Sequence, residues 1–266
     1  MEESHVDAYL ARIGVPRPPS ADIDALRELQ RAHLATVPFE NLSIHLGEPI
    51  VLDEPALLAK VVDRRRGGFC YELNGAFAAL LTALGYRVTL LSARVFAGDK
   101  AGPPFDHLVL RVDLAEPWLV DVGFGAFSHH PLRMDARSDQ HDPGGVFQVV
   151  EHQGPGGHGD LDVIMDGTPQ YRLDRRPYEL GDFIPTCWWQ QTSPRSHFTR
   201  SLTCSLLTES GRVTLSGTRL IHTVNGEREE HVLDDSRLLS AYRTHFGIAL
   251  DRVPTVAAGD RHRPGE

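Results

Sequence analysis

The chain has 266 residues, 41% hydrophobic and 24% charged, with 27 Lys+Arg against 36 Asp+Glu. The formal net charge of −9 repels a polyanion, so nucleic acid is not an expected partner. No apolar run has the length of a membrane span, the N-terminus lacks a basic segment followed by an apolar one, and the three cysteines show no CxxC spacing. The expectation is therefore a cytoplasmic protein with reduced thiols, no disulfide framework and no membrane association.

The length favours two or three packed subdomains. Residues 22–36 place Ile23, Leu26, Leu29 and Ala32 to Leu34 at helical spacing, and Pro38 closes that element. Asp53 before Glu54-Pro55 predicts a second helix with the apolar face Leu57, Leu58, Val61 and Val62. A third begins near Cys70, carries Leu73, Phe77, Leu80, Leu81 and Leu84, and stops at Gly85 in a left-handed conformation. From Tyr86 the pattern changes to strands at 86–96, 105–114 and 118–124. Two more follow at 146–152 and 161–166, joined by the turn-rich stretch 153–160, and together these predict an antiparallel sheet or small barrel. Residues 185–196, with Trp188 and Trp189, form irregular structure or a short helix between subdomains; large aromatics there are expected to be packing residues. Strands at 202–207, 212–215, 218–224 and 227–233 come next, with Asn225-Gly226 as a type I′ hairpin signal. A helix from Asp234 or Asp235 to Gly247 completes the pattern, and the polar tail 259–266 is expected to be loose.

The chemistry concentrates around Arg66-Gly67-Gly68-Phe69-Cys70-Tyr71-Glu72-Leu73-Asn74. Two glycines permit a tight turn into the helix, which puts Cys70 at a helix N-terminus, where free N–H groups and the positive end of the dipole favour a thiolate. A nucleophilic Cys needs a base, and the base needs an orienting group. His107 at the start of one predicted strand and Asp121 inside the next supply them, because a carboxylate within Leu119-Val120-Asp121-Val122 is costly to bury without a partner. If the two face each other directly, their numbers sum to an even value, which demands a connecting loop of odd length or a bulge. Backbone N–H groups of Cys70 or Tyr71 are candidates for an oxyanion hole. The histidines are scattered and His129-His130 lacks a ligand pattern, so no metal is expected.

Arg66 to Cys70 with Asn74, Asp106-His107-Leu108, Val120 to Gly125, Val37-Pro38-Phe39-Glu40-Asn41-Leu42 and Ser193 to Phe198 together resemble the arylamine N-acetyltransferases over nearly the whole chain. The resemblance implies an α+β fold with a papain/transglutaminase-like cysteine core. Its parts would be an N-terminal helical bundle (1–85) carrying the Cys, a central antiparallel β-barrel (86–196) carrying the His and Asp, and a C-terminal α/β lid (197–266). It implies a catalytic Cys70, His107 and Asp121, a structural ion pair of Glu40 with Arg66, and Asn74 as a supporting polar group. Acetyl-CoA would be the co-substrate, with Gly123, Phe124 and Gly125 admitting the pantetheine arm and Phe124 lining the acceptor pocket; no metal or prosthetic group is implied. Asp106 departs from the small hydroxyl residue of some bacterial members. The implied reaction is ping-pong transfer through an acetyl-cysteine to a small arylamine or hydrazine. An amide synthase acting on a polyketide thioester shares the triad, a papain-like hydrolase or transglutaminase would need a peptide cleft, and a binding module without turnover would leave Cys70 unreactive.

Overall fold

The N-terminal helices begin and end where the capping residues stand. In the computed structural model, which describes residues 1–154 and 159–256, α1 (Glu3–Ile13) stops at Gly14 and α2 (Ile23–Thr36) is capped by Asp22, whose side chain accepts the Ala25 N–H. Helix α1 is absent from the expectations above, although Val6, Leu10 and Ile13 carry a short helical stripe. Two short elements, β1 (Phe39–Glu40) and α3 (Leu42–Leu46), come next. Asp53 caps α4 (Glu54–Leu58), which runs on as one π-helical turn, Ala59–Asp63. Helix α5 (Cys70–Ala83) is almost wholly buried, and Gly85 follows it at φ +93°.

The large sheet comprises β2 (Arg87–Ala97), β3 (Lys100–Ala101), β4 (His107–Asp113), β5 (Pro117–Val120), β6 (Leu132–Arg133), β7 (Gln140–Asp142), β8 (Gly145–Glu151), β9 (Leu161–Met165) and β10 (Thr168–Leu173). Its order is β6-β5-β4-β2-β10-β9-β8-β7, with β3 on β2 and every pairing antiparallel. The end strands meet through a side chain. The Gln140 amide accepts the Arg133 N–H at 2.6 Å and donates to the Arg133 carbonyl at 2.9 Å, which nearly closes the sheet into a barrel. Phe147, Val149, Val163, Tyr171 and Leu173 fill its interior. Residues 155–158 of the turn-rich stretch and the polar tail lie outside the described residues.

Beyond α6 (Ile184–Thr192) and α7 (His197–Arg200) lie β11 (Thr203–Thr208), β12 (Gly211–Ser216), β13 (Arg219–Val224), β14 (Glu227–Val232) and α8 (Asp235–Phe246). Asn225 and Gly226 take φ of +50° and +85°, as a type I′ turn requires, and α8 ends at left-handed Gly247. This sheet borrows β1 from the N-terminal part, pairing Phe39 with Ser205 and Glu40 with Cys204. Asn41 ties the same junction: its Nδ2 donates to the carbonyls of Phe198 and Ser201, and its Oδ1 accepts the Thr203 N–H. Trp188 and Trp189 are not the packing residues expected, since 64% and 38% of their surfaces are exposed.

The approach to α5 is built on buried charge. Arg66 donates through Nε to Glu40 Oε1 at 3.0 Å and through Nη1 to Glu48 at 3.2 Å, while the Leu42 N–H donates to Glu40 Oε2 at 2.6 Å. Lys60, from the π-helical turn, pairs with Glu72 Oε1 at 2.5 Å, and Glu72 Oε2 accepts the Phe69 N–H at the head of α5. Burial would push the Glu40 carboxyl up, but Lys60 and Arg66 outweigh it and hold the carboxyl below its ordinary value. A carboxyl whose folded value is depressed contributes stability above its unfolded value and loses it as pH falls through the folded one. Glu40→Gln is therefore expected to cost about 3–5 kcal/mol at neutral pH by leaving Arg66 and Lys60 undercompensated. Its unfolding free energy, measured by urea titration, should then fall less steeply than that of the unmodified chain as pH drops below about 4.

Candidate active site

Cys70 is the first residue of α5 and is 3% exposed. The glycines before it are required by close approach rather than by a left-handed turn, since neither has a positive φ. A Cβ on Gly67 would lie 1.8 Å from the Pro38 carbonyl oxygen, and one on Gly68 would lie 2.6 Å from the Glu72 carboxylate. Segment 38–40 runs against this turn, with the Glu40 N–H donating to the Gly68 carbonyl at 2.8 Å. The local field also differs from the expectation. Burial pushes the Cys70 thiol well up and the Asp121 charge adds to this, against one favourable backbone hydrogen bond from Leu108. The helix N-terminus alone does not make a thiolate here.

Strand β4 begins at His107 and alternates. Leu108, Leu110 and Val112 face α5, while Val109 faces the barrel interior on the same side as His107. The β4–β5 loop is three residues long, Leu114 to Glu116, so its length is odd as anticipated. The register pairs Leu110 with Val120, which places Asp121 across from Val109 and makes it a diagonal rather than a direct neighbour of His107. Asp121 also lies just past the end of β5, not inside the strand, because pairing stops at Val120. Released from the ladder, its carboxylate turns to other donors. Oδ2 lies 2.7 Å from His107 Nε2, and Oδ1 accepts the Asn74 Nδ2 and the Gly123 N–H, each at 2.9 Å. With an ionised carboxylate as acceptor, the imidazole proton sits on Nε2 and Nδ1 is left as the basic nitrogen.

Asn74 stands one helical turn beyond Cys70 and bonds on every side. Its Nδ2 also donates to the Leu108 carbonyl at 2.7 Å, and its Oδ1 accepts the Val122 N–H at 2.9 Å. The helix that carries Cys70 is thus pinned to the strand that carries His107 and to the segment that carries Asp121. Gly123 completes the fit: a Cβ there would lie 2.6 Å from the Cys70 Cα. Phe124 sets its ring edge against His107 at 5.1 Å between centroids, and Gly125 follows at φ +97°. Asn74 thus joins the Cys70 helix to Asp121, Gly123 packs on Cys70 and Phe124 on His107, while Arg66 and Glu40 pair on the segments leading to that helix.

Three features escape a reading of the sequence. Tyr171, on β10, packs its ring 5.3 Å from both His107 and Phe124, yet that strand is not among those the sequence pattern predicts. Lys60 looks like one more helix-surface cation, and only the π-helical turn swings it inward to Glu72. Asp106 accepts from Gln190 Nε2 at 2.9 Å, and Gln190 Oε1 accepts from Ser196 Oγ at 2.6 Å, so this carboxylate ties the start of β4 to α6. Among the described residues, no group of three or more His, Cys, Asp or Glu side chains is arranged to hold a metal ion.

Residues 22–255 match a family model described as N-acetyltransferase. The arylamine N-acetyltransferase of Mycolicibacterium smegmatis is 37% identical over 257 residues, covering 91% of each chain. The solved arylamine N-acetyltransferase of Salmonella typhimurium superposes with a TM-score of 0.86 at 31% identity, covering 95% of this chain and 94% of that one. A Mycobacterium marinum arylamine N-acetyltransferase solved in complex with CoA gives 0.81 at 33% identity, covering 91% and 92%. With matches that cover more than nine-tenths of the chain, the chain belongs to the arylamine N-acetyltransferase family.

Proposed function

We propose that the chain transfers an acetyl group from acetyl-CoA to the nitrogen of an arylamine or arylhydrazine, through an acetyl thioester on Cys70. The observation that carries this reading is the His107–Asp121–Asn74 hydrogen-bond network packed around the buried Cys70 in a member of this family. His107 Nδ1 takes the thiol proton, and the sulfur attacks the thioester carbonyl carbon. Asp121 holds the ring in the tautomer that leaves Nδ1 basic and stabilises the imidazolium as it forms. Backbone N–H groups at the head of α5 face the developing oxyanion. The tetrahedral adduct collapses by breaking the bond to the coenzyme sulfur, which leaves with the proton from His107. In the second half-reaction the amine nitrogen attacks acetyl-Cys70, His107 removes its proton, and the thiol of Cys70 is restored.

Two features suit this chemistry to an aromatic amine rather than to water. Such amines are unprotonated at neutral pH and need only one proton removed. The acyl carbon would sit among Phe124, Tyr171 and the buried start of α5, where few water molecules reach. We read the chain as three units, 1–85, 86–196 and 197–266, supported by three clusters of buried side chains, of which the first also takes Leu108, Leu110 and Val112 from the second unit; β1, α3 and Asn41 reach from the first unit into the third.

Mixing with acetyl-CoA alone should add one acetyl group to the intact mass, and an arylamine should then remove it. Cys70→Ser should show no stable adduct, whereas an unmodified thiol that still reacts with iodoacetamide would point to a different acyl donor. Asp121→Asn should lower turnover by about 10⁴ by turning the imidazole to the wrong tautomer. Near-normal activity in a folded Asp121→Asn protein would remove Asp121 from the mechanism. Gly123→Ala should abolish acetylation of Cys70, because the added methyl cannot share space with the Cys70 backbone.

A further inference from the structure

The residue before His107 carries a charge that the proposed reaction does not use. Asp106 is half-buried, and its Oδ1 accepts from the neutral Gln190 amide at 2.9 Å rather than from a cation. Gly102 clears the space beside the other oxygen, since a Cβ there would lie 2.6 Å from Oδ2. Burial pushes the carboxyl above its ordinary value, against the opposing effects of the His107 charge, the Val95 N–H from β2 and Gln190 from α6. From α5 the titratable groups facing it are the Cys70 thiol and the Tyr71 hydroxyl, and the Asp106 charge pushes both up. A carboxylate in this setting is costly. What it fixes is the direction of a hydrogen-bond chain. A carboxylate can only accept, so Gln190 presents Nε2 to it and turns Oε1 the other way. That Oε1 accepts from Ser196 Oγ at 2.6 Å, and the same hydroxyl oxygen, fully buried, accepts the Phe198 N–H at 3.1 Å.

Phe198, where the chain of bonds ends, stands at the head of α5. Its ring lies edge-on to Phe69, the residue before Cys70, at 5.2 Å between centroids, and 6.3 Å from the ring of Phe39, which neighbours Gly125. Phe124 stands against His107 at 5.1 Å. Phe39, Phe124 and Phe198 are each half-buried, so each keeps aromatic surface open to a ligand. A shift of Phe198 changes which flat molecule fits beside these rings. We propose that Asp106 and Gln190 are positioning residues that set, through Ser196, where Phe198 stands at the head of α5, and thereby decide which aryl rings on the acceptor nitrogen reach acetyl-Cys70. This rests on the reading of an arylamine as acceptor.

The test forms acetyl-Cys70 with acetyl-CoA, followed by intact mass, and then measures deacetylation by aniline, by 1-aminonaphthalene and by hydrazine, which offers a nucleophilic nitrogen without a ring. Gln190→Glu places two carboxylates at the Asp106 contact. At about pH 8 they repel, and deacetylation by the two ring amines should fall about 10-fold relative to the unmodified chain, with hydrazine and the acetylation step changed by less than about twofold. At about pH 6 the loss should shrink, because like charges in one site raise one of the two values and a shared proton restores the link. Adding Asp106→Asn to Gln190→Glu should recover most of the loss at both pH values, since the new amide donates to Glu while Glu still accepts from Ser196. If Gln190→Glu does not fold, Gln190→Ala should lower ring-amine transfer about fivefold at both pH values, with hydrazine again spared. Equal losses with hydrazine and the ring amines would mean that the chain of bonds only braces the fold, and would overturn the assignment. So would a double variant no better than Gln190→Glu, or ring-amine transfer untouched by every substitution, which would leave Phe198 held by its carbonyl bond to Asn41 alone. If the unmodified enzyme forms no acetyl-Cys70, the acetyl-transfer reading itself fails and takes this proposal with it.

Discussion

A carboxylate with no exposed surface and no permanent cation beside it survives only if its oxygens are filled by donors, and Asp121 is such a group. Its donors come from separate places: His107 from β4, Asn74 from α5, and the Gly123 N–H from its own loop. Three charge-assisted hydrogen bonds at about 1.5–3 kcal/mol each are of the size needed to offset a desolvation cost of several kcal/mol. The balance leaves little to spare. Bringing α5, β4 and the 121–125 segment together is therefore a condition for burying Asp121 at all, and the same convergence assembles the cluster around Cys70.

The surroundings act on the thiol in opposite directions. Burial and the Asp121 charge work against a thiolate at Cys70, while the head of α5 and the Leu108 N–H work for one. Burial dominates and favours the thiol form of Cys70; in the proposed reaction His107 is the group that takes its proton. A nucleophile kept as a thiol until a partner accepts its proton is shielded from oxidation and from adventitious acylation. The head of α5 is in turn anchored by charge: Glu72 closes the first turn while held by Lys60, and Arg66 locks onto Glu40 from the next segment. Leaving one member of either pair alone would expose a buried charge directly beneath the site.

The barrel decides what lies beside Cys70. Because β5 stops at Val120, the chain is freed from pairing just where Asp121 must turn inward, and the following glycines let the loop press onto Cys70 on one side and onto Arg212 on the other. Tyr171 and Phe124 close the space beside the imidazole with aromatic edges. The C-terminal sheet is not an independent cap. It takes β1 as its edge strand and receives Asn41 as a bracket, so its position is tied to the residues that also neutralise Arg66.

Much of this was legible along the chain because the signals are local. Helix starts at Asp22 and Asp53, the stop at Gly85, the Asn225-Gly226 turn and the end of α8 at Gly247 all follow from capping and turn chemistry that acts over a few residues. The Cys, His and Asp were legible for a different reason: a carboxylate in an apolar run and a Cys at a helix head each ask for a partner. Other features have no local cause. The glycine at 67 answers to the Pro38 carbonyl rather than to its own φ, Lys60 turns inward through a π-helical turn, and Tyr171 reaches the imidazole from β10, two strands away from β4 in the sheet. The sequence by itself determined which residue types must be partnered and where elements begin and end, since those depend on nearest neighbours. Only the tertiary structure decided which partner each received and how far burial would raise the Cys70 thiol, because register, close backbone approach and desolvation depend on segments distant in the chain.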